Sequence, residues 1–199
     1  MPLEEYRRKR KFTETPEPVG RVRRRDHRRI FVVQKHDASR LHYDFRLPIN
    51  GVLASRAVPK GPSMNPADKR LTMRTEDHPL EYADFEGVIP EGHYGAGPVM
   101  VWDQGTYESE ADIPPEKQLA RGKIDVVLHG EKLHGGFTLI QTGSERKRWL
   151  LVKHRDEYAD PAWDIESPEL DRSVITGRTL KEIEMGPAKK KEPAQMRSR

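Results

Sequence analysis

Between Gln34 and Leu47 the chain reads QKHDASRLHYDFRL, and the second half of this run alternates strictly. His42, Asp44 and Arg46 fall at every other position, with Tyr43, Phe45 and Leu47 between them. A period of two is that of a β-strand, so the three polar side chains share one face and the three apolar ones the other. His42 and Asp44 are ligand types for a divalent metal, and Arg46 on the same face offers the planar donor fork that fits a phosphate. His36 stands six residues before His42, where a bend between two strands returns it to the same place. Taken alone, such alternation is the ordinary solvated face of a strand. Here three ligand candidates and a guanidinium lie within eleven residues, flanked by the strand-like runs IFVV at 30–33 and GVLASRAV at 51–58. That company favours a functional site with a metal beside a phosphate.

The fold expected around this run is mainly β. At 199 residues, with 34% hydrophobic and 34% charged residues, 15 Gly and 16 Pro, the chain reads as one loop-rich domain large enough to bury a core. Strand signals at 30–34, 42–47, 51–58, 71–75, 80–88, 97–103, 122–128, 134–141 and 148–153 predict a compact antiparallel β-barrel or sandwich. Short helices are expected near Pro115–Ala120 and near Leu180–Met185, the latter capped by Thr176 or Thr179. The expected divisions are an N-terminal arm over 1–29, a β-domain over 30–160, an extension over 161–186 and a disordered tail over 187–199. Leu3, Tyr6 and Phe12 are the residues that would pin the arm to the domain, and Pro16 and Pro18 exclude a continuous helix through it.

Charge is unevenly spread. Residues 1–30 carry eleven Lys or Arg against five acids, and residues 187–199 carry five against one, so a net charge of +4 conceals an acidic body. That pattern fits a barrel with local phosphate contacts and basic extensions better than a general polyanion binder. Cys is absent, which excludes disulfides and thiolate zinc sites and leaves any metal to His and carboxylates. No stretch has the length of a membrane span, and a cytoplasmic monomer without membrane association is expected. Among the remaining candidates, EGHYGAG at 91–97 lacks the ending of a phosphate loop and reads as a hairpin turn. His93, His129 and His134 read as turn or surface histidines, and Lys153, at the end of the core strand WLLVK, as exposed rather than aimed at phosphate.

The run at 34–47, together with AVPKGPS at 57–63, EDHPLEY at 76–82 and PEGHYGAG at 90–97, resembles the 3′-phosphoesterase domain of bacterial and archaeal DNA ligase D. The resemblance extends from LEEYRRKRKF and TPEP near the start to WLLVKHRDEYA at 149–159. It implies a compact β-barrel and a manganese-dependent enzyme, with Co2+ or Zn2+ as other candidate ions, that heals 3′ ends of broken DNA before end joining. Such an enzyme removes a 3′-terminal ribonucleoside and then the 3′-phosphate to leave a 3′-hydroxyl. Carried onto matching positions, the resemblance makes His36, His42 and Asp44 the metal ligands. Arg46 and His78 become contacts to the scissile phosphate, and Tyr82 completes the site. Gln34, Arg10 and Glu17 match positions that support activity, while Lys11 stands where the family often has an acid. The implied partners are primer-template DNA 3′ ends and the ATP-dependent ligase and polymerase of the end-joining system.

Manganese accepts nitrogen and oxygen ligands, so two imidazoles and a carboxylate leave positions for phosphate and water. His78 is open to two roles, as proton donor to the leaving oxygen or as a phosphate contact. Two other classes compete. KHDASR at 35–40 superficially fits the lysine motif of nucleotidyltransferases, with Lys35 as nucleophile, though Ala38 replaces its glycine. A catalytically silent DNA-end-binding module is the other.

Overall fold

The chain was analysed as a computed structural model, which describes residues 2–23, 29–109, 113–143 and 147–186. The expected disordered tail at 187–199 and the basic cluster at 24–28 lie outside the described residues. Among the described residues nine strands form: β1 (Ile30–Asp37), β2 (Leu41–Ile49), β3 (Val52–Val58), β4 (Lys69–Arg74), β5 (Gly87–Ile89), β6 (Gly97–Ser109), β7 (Lys123–His129), β8 (His134–Gln141) and β9 (Arg148–Lys153). All pairings are antiparallel, in the order β1-β2-β3-β4-β9-β8-β7-β6-β5, and a further β1–β6 pairing closes eight strands into a barrel with β5 outside the ring on β6. Closure gives each ring strand a paired neighbour on both sides, though β3 and β4 meet only at Arg56–Arg74 and Ala57–Met73. The mainly β, antiparallel barrel expected from the strand signals is the fold.

Strand alternation divides the side chains into two cores. One holds Phe31, Val33, Tyr43, Phe45, Leu47, Trp102, Phe137, Leu139, Trp149 and Leu151, drawn from strands all round the ring, and so fills the barrel. The other holds Val32 and Leu53 on the outer face of β1 and β3, with Val99 and Val101 of β6 and the covering residues Tyr6, Leu80, Tyr82 and Ala83. The cover comes from the N-terminal arm. Its helix α1 (Glu4–Arg8) buries Tyr6 completely, Leu3 is buried beside it, and Phe12 packs partly against the same cluster. The hydroxyl of Tyr6 donates to the Pro18 carbonyl at 2.6 Å, which folds the arm back on itself. Helices α2 (Pro115–Ala120) and α3 (Leu180–Glu184) stand where expected, and Thr179 is the cap of α3: its hydroxyl accepts from the Glu182 amide while the Glu182 carboxylate accepts from the Thr179 amide.

The structure corrects two local expectations. The strand predicted over 80–88 is a 3₁₀ helix, Leu80–Asp84, followed by the three-residue β5. The backbone here makes i to i+3 bonds, from Tyr82 N to Pro79 O and from Phe85 N to Tyr82 O, and the Tyr82 and Phe85 carbonyls accept from Gln34, so no strand ladder forms over these residues. Leu80, Tyr82 and Asp84 therefore do not share a strand face. Lys153 is also not exposed: it is 2% accessible, with its ammonium over the Phe137 ring and bonded to Asp156 at 2.5 and 2.6 Å. Its four-carbon stem belongs to the core, and the charge is met locally. Lys153→Met should lower stability by about 1 kcal/mol, because Asp156 is partly solvated and retains the amides of Gly136 and Tyr158. Urea unfolding checks this, and a loss above about 4 kcal/mol would show that the ammonium matters more than its stem.

Candidate active site

The site lies on the outer wall of the barrel, where β1 and β2 pair. Residues 38–40 make the bend, so His36 is directly opposite His42 and Gln34 opposite Asp44. The next pairing sets Ser55 of β3 opposite Arg46. Register alone thus puts Gln34, His36, His42, Asp44, Arg46 and Ser55 on one face, while Tyr43, Phe45 and Leu47 point into the barrel. The 90–96 turn between β5 and β6 closes over the hairpin end. Gly97 permits that approach, since a Cβ there would lie 1.9 Å from the Asp37 carbonyl oxygen at a φ of 136°.

Donor atoms of His36, His42 and Asp44 all lie within 4.8 Å of one another. Backbone carbonyls fix both imidazoles. His36 Nε2 donates to Gly95 O at 2.8 Å and His42 Nδ1 donates to Arg40 O at 2.9 Å. A carbonyl only accepts, so each of these nitrogens donates there and the ring's opposite nitrogen is turned toward Asp44; burial lowers the His42 pKa, but Asp44 outweighs it and raises it. Those nitrogens, His36 Nδ1 and His42 Nε2, face Asp44 Oδ2 at 3.8 and 3.6 Å, too far for hydrogen bonds. Two imidazole nitrogens and a carboxylate oxygen converging in this way have the ligand types of a site for a divalent cation of the borderline class. The residues therefore fit a metal. Among the described residues no other such group of three is found; His93, His129 and His134 each stand apart from this cluster.

Arg46 binds the cluster to its surroundings. Its guanidinium donates to Asp44 Oδ2 at 3.0 Å, Gln34 Oε1 at 2.7 Å and Ser55 Oγ at 2.7 Å, and comes within 2.9 Å of His78 Nδ1. Burial pushes the Asp44 carboxyl up, but Arg46 and the two histidines outweigh it and hold the group well below the usual carboxylate range. His78 is fully enclosed. Burial, then Arg46 and Arg10, hold its imidazole well below the ordinary histidine value, so it is neutral at pH 7.

The other expected residues join the same network from the arm and the 3₁₀ helix. Arg10 donates to Glu17 at 2.7 Å and to Glu76 at 3.2 Å, and its Nη2 lies 3.2 Å from His78 Nε2. Tyr82 packs edge-on to His78, with ring centroids 4.6 Å apart, and donates its hydroxyl to Glu17 at 3.0 Å. Gln34 donates to the carbonyls of Tyr82 and Phe85, joining the 3₁₀ helix to Arg46. Seven of the nine residues anticipated from the sequence are therefore in one hydrogen-bonded assembly, and His36 and His42 adjoin it at Asp44. Glu76, Ser55 and the Gly95 carbonyl were not anticipated; Glu76 stands within EDHPLEY and binds Lys9 as well as Arg10. Lys35 points the other way, bonded to Asp171 at 2.8 Å, and that partner outweighs its burial to keep the ammonium charged, unsuited to attack on a nucleotide. Tyr82→Phe should leave metal affinity intact and reduce turnover about tenfold by freeing Glu17, as read by kcat at saturating metal.

The cavity at this assembly has a volume of about 210 Å³ and is lined by the three metal-fitting residues with Arg10, Arg46 and His78. These features define a closed β-barrel carrying, on its outer wall, a triad of metal-ligand types that shares its carboxylate with an arginine-lined pocket. Comparison with known proteins refines that class: the family model for the DNA ligase D 3′-phosphoesterase domain matches residues 34–141, and the chain belongs to that family. It is 51% identical over 185 residues, 90% of the chain, to the multifunctional non-homologous end joining protein LigD of Pseudomonas aeruginosa. It is 46% identical over 160 residues, 78% of the chain, to the protein of that name from Mycolicibacterium smegmatis. Identity is 42% over 168 residues, 83% of the chain, to the multifunctional non-homologous end joining DNA repair protein LigD of Mycobacterium tuberculosis. The chain spans only 22%, 21% and 21% of these relatives, about a fifth of their length.

Proposed function

We propose that the chain is a metal-dependent phosphoesterase that heals DNA 3′ ends for non-homologous end joining, removing a 3′-terminal ribonucleoside and then the remaining 3′-phosphate. The observation that carries this reading is the sharing of one buried carboxylate, Asp44, between two inward-turned imidazoles and the Arg46 guanidinium. A cation and an anion are thereby recognised side by side, which a phosphoester cleavage site needs. His36, His42 and Asp44 are assigned to manganese. Bound there, the metal would supply a Lewis acid toward a phosphoryl oxygen.

The chain's own residues do the rest. In the first step water adds to phosphorus and the bond to the ribonucleoside 5′-oxygen breaks, releasing the nucleoside and leaving a 3′-phosphate. In the second, water adds again and the bond to the DNA 3′-oxygen breaks, leaving a 3′-hydroxyl and inorganic phosphate. Arg46 holds equatorial oxygens with donors already fixed by Gln34 and Ser55, so little reorganisation accompanies charge development. His78 enters as a neutral imidazole and serves first as a phosphate contact. Proton donation from it requires an arriving phosphate to raise its pKa past the effect of the two arginines. Arg10, Glu17 and Tyr82 orient His78, and Gln34 orients Arg46. A cavity of about 210 Å³ suits a terminal phosphate, and the adjoining groove of about 680 Å³ has room for the strand. Primer-template 3′ ends are the proposed substrate, with end-joining ligase and polymerase modules as proposed partners.

A primer-template with one 3′-terminal ribonucleotide tests the order of steps. With manganese the reading expects a 3′-phosphate product that then converts to 3′-hydroxyl, and neither product in chelator. Retention of DNA with no product in either condition would favour a silent end-binding module.

A further inference from the structure

A second basic cavity opens at the barrel end that α2 closes. Its volume is about 290 Å³, and Arg56, Arg74, Asp77, Trp149, Leu119 and Glu116 line it. Arg56 is its unusual member. It is 3% exposed, its guanidinium stacks on the Trp149 indole at 4.4 Å, and its Nε is buried with no hydrogen-bond partner. Among the described residues it forms no ion pair or hydrogen bond, although Asp77 and Glu116 belong to the same cavity. Its cross-strand neighbour is another cation, since β3 and β4 pair Arg56 with Arg74.

A purely structural role accounts poorly for this arrangement. Stacking covers one face of a guanidinium and uses none of its five in-plane N–H donors. A buried charge with no hydrogen-bonded counter-ion among the described residues, set beside a like charge and met only at longer range by Asp77, opposes folding unless something else compensates it. Burial and Arg74 lower the Arg56 pKa to about 10, so the group remains charged at pH 7. Of the two acids, Glu116 is on the exposed side of α2, and burial raises the Asp77 carboxyl against the pull of Arg74 and Arg56. What is missing chemically is an anion with several acceptor oxygens.

The cavity is connected to the site on the outer wall. Pro2, Arg74 and Asp77 line both this cavity and the groove of about 680 Å³, and Thr75, Glu76 and Tyr94 line both the groove and the metal-fitting pocket. Lys147 is on the groove's edge, and Thr75 Oγ1 within it is a second buried polar atom without a partner. We infer that Arg56 and Arg74 form a phosphate-binding subsite at the far end of this groove. Under the phosphoesterase reading, on which this part rests, its occupant is a backbone phosphate of the strand whose 3′ end lies at Asp44. Free phosphate is the other source of the same chemistry.

The test measures binding, in chelator so that no turnover occurs, by the full chain and by Arg56→Gln and Arg74→Gln. Arg74 is exposed, so its variant keeps the test valid if the buried substitution unfolds. One arm titrates 3′-phosphorylated single strands of increasing length; the other titrates inorganic phosphate against thermal unfolding. For long strands, either variant should bind roughly tenfold more weakly, and the slope of log affinity against log salt should flatten by about 0.7, as expected for one lost strand phosphate contact. A dinucleotide should not distinguish the variants from the unchanged chain. A purely structural arginine would change the unfolding temperature and leave the salt slope alone. Stabilisation by inorganic phosphate that both variants lose, with strand binding unchanged, would assign the subsite to the free ion. If neither strand nor phosphate binding depends on either arginine, the subsite does not exist. Manganese-dependent turnover, assayed separately, reports on the phosphoesterase reading itself: unchanged turnover with no arginine dependence would overturn the subsite alone, and absent turnover the reading alone.

Discussion

Asp44→Ala should abolish divalent-metal binding and reduce 3′-end turnover by about a thousandfold or more. The carboxylate is the only acidic member of the triad and lies 3.8, 3.6 and 3.0 Å from His36, His42 and Arg46. Without it, two imidazoles face a guanidinium, and the site loses the one negative charge that would hold a cation. Calorimetric titration with manganese measures the first effect and kcat the second. Affinity within about threefold of the unsubstituted chain would remove Asp44 from the metal site. Stability should change too. The Asp44 carboxyl is held below its unfolded value, so its contribution in chelator is fully present above about pH 3.9 and is lost as pH falls through the lower folded value. Asp44→Ala should flatten that acid limb of the unfolding curve. An unchanged acid limb would show that other carboxylates set it.

Arg46→Lys should separate catalysis from metal binding. The guanidinium reaches Gln34, Ser55 and Asp44 at once through three different nitrogens, whereas an ammonium is a point donor on a longer, flexible stem. Asp44 keeps a cationic neighbour, so manganese affinity should fall less than about tenfold. Turnover should fall about 100- to 1000-fold, the range for loss of a fixed donor to developing charge. The freed acceptors of Gln34 and Ser55 are buried, and stability should drop by about 2–3 kcal/mol. Metal affinity lost in parallel with turnover would instead make Arg46 a support of the triad and not a phosphate contact.

The barrel and the triad were legible in residues 34–47 because strand periodicity converts a linear pattern into a face. Hairpin register then determined the rest: once 38–40 turns, His36 has no place but opposite His42. The segment 80–85 was misread because its apolar residues satisfy two periods, and Gln34, nearly fifty residues earlier, supplies the donors that its 3₁₀ carbonyls take. Lys153 misled for a related reason: a strand-end lysine reads as exposed until the turn carrying Asp156 is placed beneath it. Glu76 was hidden in a motif whose histidine drew attention, since its partners Lys9 and Arg10 are 67 and 66 residues away and no local pattern links them. Arg10 and Glu17 were reached through family resemblance alone. Their roles depend on α1 docking by Tyr6, a long-range contact that periodicity does not encode.

The central claim is that the His36, His42 and Asp44 face is the metal centre of a 3′-phosphoesterase. Its most direct test is release of inorganic phosphate from a 3′-phosphorylated primer-template, in manganese and in chelator, by the chain and by His42→Ala. Manganese-dependent release by the unsubstituted chain, falling to the chelator baseline in the variant, is expected. Equal release by His42→Ala, or release unaffected by chelator, would contradict it.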